Sequence, residues 1–186
     1  LIYGSLTLHS VDGMRSDNQI HVKDALNFDG AVNTGSDNPT QVLTQTFSNL
    51  DNTPYTVNLT NGSNIRYDDS QVDADGNPMP ILWYVDHTTL SGSSKLETSN
   101  QMNLGDEVSF TRGDNEARSE LTITSDGDLT LYTDLSGNDG LTILKAGGSK
   151  PDEEGGGSYQ ISFDSVVDLS SYGGWIRLQD GTMMLD

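Results

Sequence analysis

The pattern with most chemistry in this 186-residue chain is Asp73-Ala74-Asp75-Gly76-Asn77. Oxygen ligands at alternate positions, with a glycine that permits a sharp bend, can wrap a hard cation such as Ca2+. Asp73, Asp75 and Asn77 are the expected metal ligands and calcium is the expected cofactor, with a bare Asp/Asn turn as the alternative. A complete twelve-residue loop would need a glutamate in place of Tyr84, and Pro78 and Pro80 interrupt the run, which excludes the helix-loop-helix version. Two other acidic groups, Asp134 with Asn138 and Asp139, and Asp68 with Asp69, read as solvated loops.

Other chemistry is thinly supplied. There is no cysteine and no Gly-x-Ser-x-Gly elbow, and the three histidines, His9, His21 and His87, have no spacing that implies a shared metal. Gly155-Gly156-Gly157 lacks the Lys-Ser/Thr of a phosphate loop. A carboxylate pair for glycoside hydrolysis cannot be singled out among 22 Asp and 6 Glu. The expectation is a protein that is not an enzyme. Asn58-Leu59-Thr60 and Asn61-Gly62-Ser63 are acceptor sequons for N-glycosylation. Arg112-Gly113-Asp114 spells the tripeptide that integrins recognise, and it falls between two expected strands, where ordinary turn chemistry also accounts for it.

The elements that must position these residues are strands. Ser, Thr, Asn, Asp and Gly crowd out the helix formers, while Val, Ile, Thr, Tyr and Phe recur in short alternating runs. Ile81-Leu82-Trp83-Tyr84-Val85 has the length of a buried central strand. Asp126-Gly127 and Asp180-Gly181 each separate two alternating runs, which is the signal of a β-hairpin. About ten short antiparallel strands are expected, as an all-β sandwich or jelly roll spanning 1–186 as one domain. Residues 147–158, with three glycines in a row, are expected to form a mobile loop. No internal repeat is found.

Two resemblances bear on this fold. Val42-Leu-Thr-Gln-Thr-Phe47 with Tyr55-Thr-Val57, and Ile161-Ser-Phe-Asp-Ser-Val166, resemble strands of galactose-binding-like jelly rolls, a superfamily rich in carbohydrate-binding modules. The resemblance implies a jelly roll, sometimes calcium-stabilised, that meets sugar through loop aromatics. Tyr172 and Trp175, flanking Gly173-Gly174, are the candidate ligand-binding residues, with burial of Trp175 in the core as the competing expectation. Arg118-Ser-Glu-Leu121, Gln19-Ile-His21 and Lys145-Ala-Gly147 resemble fragments of the motifs of jelly-roll alginate lyases, here in altered order and without the tyrosine. That resemblance implies Arg118 and His21 converging in one groove.

Nine Lys+Arg against 28 Asp+Glu give a formal charge of -19. Such a chain repels nucleic acid and anionic membrane surfaces, and no apolar run is long enough to insert in a bilayer. The start at Leu1 shows neither a basic region nor an apolar stretch of signal-peptide length, so the sequence reads as a soluble, processed chain. The leading expectation is a structural subunit of an extracellular, cell-surface or virion assembly. Its partners would be copies of itself or another structural protein, joined by strand complementation through Leu1, Ile2, Tyr3, Leu6 and Leu8. A carbohydrate-binding module is the alternative, and a polysaccharide lyase a more remote one.

Overall fold

Alternation of period two puts every second side chain of a strand on one face, whatever strand lies beside it. In a computed structural model of the chain, which describes residues 6–9, 20–21, 24–30, 41–43, 47–48, 54–67, 85–99, 104–150 and 156–185, those faces meet in a way the alternation leaves open. Seventeen strands are present among the described residues, and every strand pair is parallel. The first sheet is built from β1 (Leu6–His9), β3 (Ala25–Asp29), β6 (Tyr55–Thr60), β8 (Val85–Ser91), β10 (Glu107–Thr111) and β13 (Asp134–Gly137), in that order. The second runs β4 (Gln41–Leu43), β7 (Asn64–Tyr67), β9 (Lys95–Ser99), β11 (Glu120–Ser125), β14 (Leu141–Ala146) and β16 (Trp175–Asp180). The third contains β12 (Leu129–Leu131), β15 (Gln160–Phe163) and β17 (Thr182–Leu185), and β2 (Ile20–His21) pairs with β5 (Phe47–Ser48).

The chain visits the sheets in turn and returns one strand further on each time, which makes it a β-solenoid whose rungs rise by about 4.8 Å. The expected antiparallel sandwich or jelly roll is therefore wrong in the direction of pairing. Both hairpin signals fail for the same reason. Asp126-Gly127 leads from β11 into β12, and Asp180-Gly181 from β16 into β17, so each turns a corner between two sheets. At an earlier corner Asn61 and Gly62, at φ 51° and 74°, link β6 to β7, and one rung on Gly92 and Ser93, both at φ 62°, link β8 to β9. Two successive left-handed residues can reverse a chain or deflect it, and the sheet on which the next strand packs decides between the two.

The interior is made of stacked columns. Leu26, Val57, Thr88, Val108 and Leu135 are register partners across the first sheet, and Phe28, Leu59, Leu90 and Phe110 form the next column. All are buried. Thr88 is tolerated there because its hydroxyl donates to Leu104 O at 2.7 Å. Each rung buries its apolar faces on its neighbours. Register partners Leu26, Val57, Thr88, Val108 and Leu135 lie 31, 31, 20 and 27 residues apart in turn. A repeat therefore exists in space, while unequal corner loops hide it from a fixed-period reading of the sequence.

On the outward side the same sheet carries polar rows. Asn58 Nδ2 donates to Asn27 Oδ1 at 2.7 Å, and Thr89 Oγ1 donates to Asn58 Oδ1 at 2.6 Å. The first sequon asparagine is thus tied into this ladder, and Asn61 donates to Asp29 Oδ1 at 2.8 Å from an exposed corner. Of the segment 147–158, Ser149 and Ser158 form an antiparallel bridge, and Lys150 N donates to Gly157 O at 2.8 Å.

Candidate functional site

Charge and aromatic surface come together where the first sheet turns into the second. Three successive passages of the chain lie side by side at this corner: residues 112–119 between β10 and β11, residues 138–140 between β13 and β14, and residues 173–174 before β16. Hydrogen bonds tie the passages to one another. Asn138 N donates to Phe110 O at 3.2 Å, Gly173 N to Gly137 O at 2.9 Å, and Trp175 N to Gly140 O at 2.9 Å. The approach is close enough to need glycine: a Cβ on Gly140 would stand 2.3 Å from Phe110 Cγ, and one on Gly174 would stand 2.5 Å from Gly140 O.

Asp139, at φ 60°, turns its carboxylate toward two guanidinium groups. Arg112 Nη1 pairs with Oδ2 and Arg118 Nε with Oδ1. Arg112 is held from its other side, donating through Nε to Glu116 O at 2.7 Å, while Glu116 Oε2 accepts Gly113 N at 2.9 Å. Arg118 Cζ lies 5.3 Å from the centroid of the Trp175 ring, the geometry of a cation–π contact. Trp175 remains 63% exposed, which corrects the expectation of core burial. An indole that begins a strand facing solvent and is steadied by a guanidinium is a flat apolar platform with polar groups at its rim.

Tyr172 sits behind this platform. Its ring packs against Phe110 with centroids 5.5 Å apart, its hydroxyl donates to Trp175 O at 3.1 Å, and Thr142 Oγ1 lies 3.1 Å from the same oxygen. Burial pushes the phenol above the usual tyrosine range, while Thr142 and the Trp175 carbonyl work in the opposite direction. Tyr172 therefore supports Trp175 from inside. Of the two candidate ligand residues, the indole is the one that presents area to solvent.

Other expected site residues are not gathered here. Asp73, Asp75 and Asn77 lie outside the described residues, as do Leu1, Ile2, Tyr3, Trp83 and Tyr84. Among the described residues no group of three or more His, Asp or Glu could hold a metal ion. Leu6 and Leu8 belong to β1 and pair with Leu26 and Phe28 of the same chain. His21 lies in β2, in the first rung, and Arg118 follows β10, four rungs along, a separation of about 19 Å by the spacing of stacked strands. The two lyase residues do not converge. Arg112 of the Arg-Gly-Asp tripeptide is exposed but committed to Asp139.

Sequence reasoning placed Asp139 in a solvated loop and Arg112 and Arg118 in separate motifs; it missed that they are one cluster. No local signal joins them, because the contacts to Asp139 run across stacked rungs, 27 and 21 residues apart in the sequence. Away from this corner, a cavity of about 610 Å³ is lined by Leu104, Val108, Leu121, Leu129, Leu131 and Tyr132, among others. Asp106, Asp128 and four threonines share its lining, and none of the arginines or Trp175 of the corner reaches it. Comparison with known proteins finds no family model, no curated protein and no solved structure that matches this chain.

Proposed function

We propose that the chain is a glycan-binding β-solenoid that holds a sugar on the corner formed by Trp175, Arg118, Arg112 and Asp139. The observation that carries this reading is the exposed Trp175 indole with Arg118 stacked against it. A pyranose ring has one face of C–H groups that covers an indole and a rim of hydroxyls that needs donors and acceptors in one plane. Two guanidiniums and a carboxylate supply both. With a formal charge of -19 on the chain, neutral sugars are favoured over polyanionic ones.

The test is tryptophan fluorescence during titration with a panel of neutral and acidic oligosaccharides, in a Trp83→Phe background so that Trp175 alone reports. Trp175→Ala, which has no reporting indole and is followed by titration calorimetry instead, is expected to weaken binding at least about tenfold, with the circular dichroism of the fold unchanged. A panel that leaves Trp175 emission unmoved, or a Trp175→Ala protein that binds as tightly, overturns the reading.

A second reading rests on a different observation, the continuous stacking of rungs. Parallel coils that bury apolar faces on one another make extended scaffolds, which suits a structural subunit of an extracellular, cell-surface or virion assembly. Partners would be further copies or another structural protein, added along the side of β1 that β3 does not use. Light scattering with calcium and then with chelator tests it. A fixed oligomer supports this reading, and collapse on chelation assigns a role to Asp73, Asp75 and Asn77; a 20.1 kDa monomer in both conditions removes it.

A further inference from the structure

Three side chains outside that corner stand in the order of a serine hydrolase relay. On the outward face of the first sheet, Glu107 and Ser109 lie two residues apart on β10, and His87 on β8 is the register partner of Glu107. His87 Nε2 is 2.8 Å from Ser109 Oγ, and His87 Nδ1 is 3.2 Å from Glu107 Oε2. A carboxylate at Nδ1 keeps the neutral ring's proton on that nitrogen and leaves the Nε2 lone pair toward the hydroxyl, a tautomer assigned from these contacts. Nucleophile, base and orienting acid are recognised by this geometry whatever their order in the chain.

The surroundings fit the same use. Asp134, the partner of Glu107 on the other side, accepts Asp168 N at 2.6 Å, and Thr89 donates to Asn58. Backbone N–H groups in the ladder are spent on strand pairing, so a developing oxyanion has to be met by a side-chain donor. Ser136, the register partner of Ser109 on β13, is the hydroxyl-bearing neighbour on the same face. With His87 and Glu107 side chains 26% and 40% exposed, a ligand can reach the group from solvent.

We propose that Ser109, His87 and Glu107 form an esterase site for neutral esters of small carboxylic acids. Ser109 Oγ attacks the carbonyl carbon while its proton passes to His87 Nε2. The tetrahedral intermediate expels the alkoxide, which takes that proton and leaves as the alcohol. Water, deprotonated by His87, then attacks acyl-Ser109, the ester bond to Oγ breaks, Ser109 recovers the proton, and the carboxylic acid is released. An open sheet face suits a small acyl group, and the acidic surface disfavours anionic esters. None of the three residues belongs to the Trp175 corner, so either assignment can fail alone.

The test uses the whole chain with a fluorophosphonate probe, which phosphonylates an activated serine with loss of fluoride, followed by peptide mass spectrometry and by hydrolysis of p-nitrophenyl acetate. One label, on Ser109, is expected. Ser109→Ala should abolish it, and His87→Ala should slow labelling by about 100-fold, the usual contribution of a general base. His87→Gln serves as a second variant that keeps side-chain bulk on the strand. Ser136→Ala should slow ester hydrolysis while Ser109 still labels. Wild-type labelling no faster than that of Ser109→Ala, labels spread evenly over surface serines, or undiminished labelling in both His87 variants overturns the proposal.

Discussion

Asp139 combines two demands at one position, since its backbone is left-handed and its carboxylate bridges two arginines. The two demands are separable by substitution. Asp139→Asn keeps a side chain that tolerates φ above zero and removes the charge, whereas Asp139→Ala also loses the short polar side chain whose local hydrogen bonding eases that conformation. Asp139→Ala is expected to be less stable than Asp139→Asn by about 1 kcal/mol in urea denaturation. The charge itself is worth little to stability on an exposed pair, within about 1 kcal/mol; its effect should appear in sugar binding. Titrating residues give a second set of outcomes. A hydrogen bond from Lys150 Nζ at 2.6 Å, then one from Gln160 N at 2.8 Å, hold Asp128 below the usual carboxylate range. Ser170 does the same for Asp168. A depressed carboxylate stabilises the fold above its ordinary pKa of about 3.9 and loses that contribution as pH falls through the lower folded value. Tyr172 has the opposite sign: its raised phenol stabilises fully below about pH 10, and the contribution is lost as pH climbs through the folded value. Thermal melts across pH should therefore fall at both ends. Asp128→Asn should flatten the acid limb, and Tyr172→Phe the alkaline one.

At the level of elements, the alternating runs marked β3, β6 and β10, where Leu26 and Phe28, Tyr55, Val57 and Leu59, and Val108 and Phe110 are buried, whereas most of β8 and all of β9 were not read as strands and Asp134, read as a solvated loop, lies in β13. The same runs carried no information on partners, because side-chain period is two in parallel and antiparallel ladders alike. Turn residues were legible as turns and illegible as connections. Asp126-Gly127 and Asp180-Gly181 have hairpin chemistry, yet each hands the chain to another sheet. The corner passages are packed hard enough for one methyl to matter. Gly140→Ala places a carbon 2.3 Å from the Phe110 ring, which is itself buried between the rungs of Leu90 and Leu135. That substitution should cost about 2 kcal/mol and lower the Trp175 response to sugar with it, whereas Gly127→Ala, with nothing within 4 Å of the added carbon, should cost little on steric grounds.

For the whole molecule, stacking means that stability is passed from rung to rung rather than concentrated in one centre. Leu90→Ala, in a fully buried column of a middle rung, should lose about 3 kcal/mol. Leu178→Ala, in a side chain already 37% exposed, should lose under about 1 kcal/mol. Amide exchange should follow the same profile, slowest in β8, β10, β11 and β14. The sequence by itself determined that this protein is strand-built, helix-poor, strongly acidic and rich in tight turns, because those properties depend on composition and on neighbours within a few residues. It also marked Trp175 and Tyr172 as the candidate ligand-facing aromatics. Only the tertiary structure decided that the strands run parallel, that Arg112, Arg118 and Asp139 form one cluster beside Trp175, and that His87 of one rung stands between Ser109 and Glu107 of the next. Each of those contacts joins residues about 20 or more positions apart through the register of stacked rungs, and register is set by corner lengths and column packing that no local pattern records.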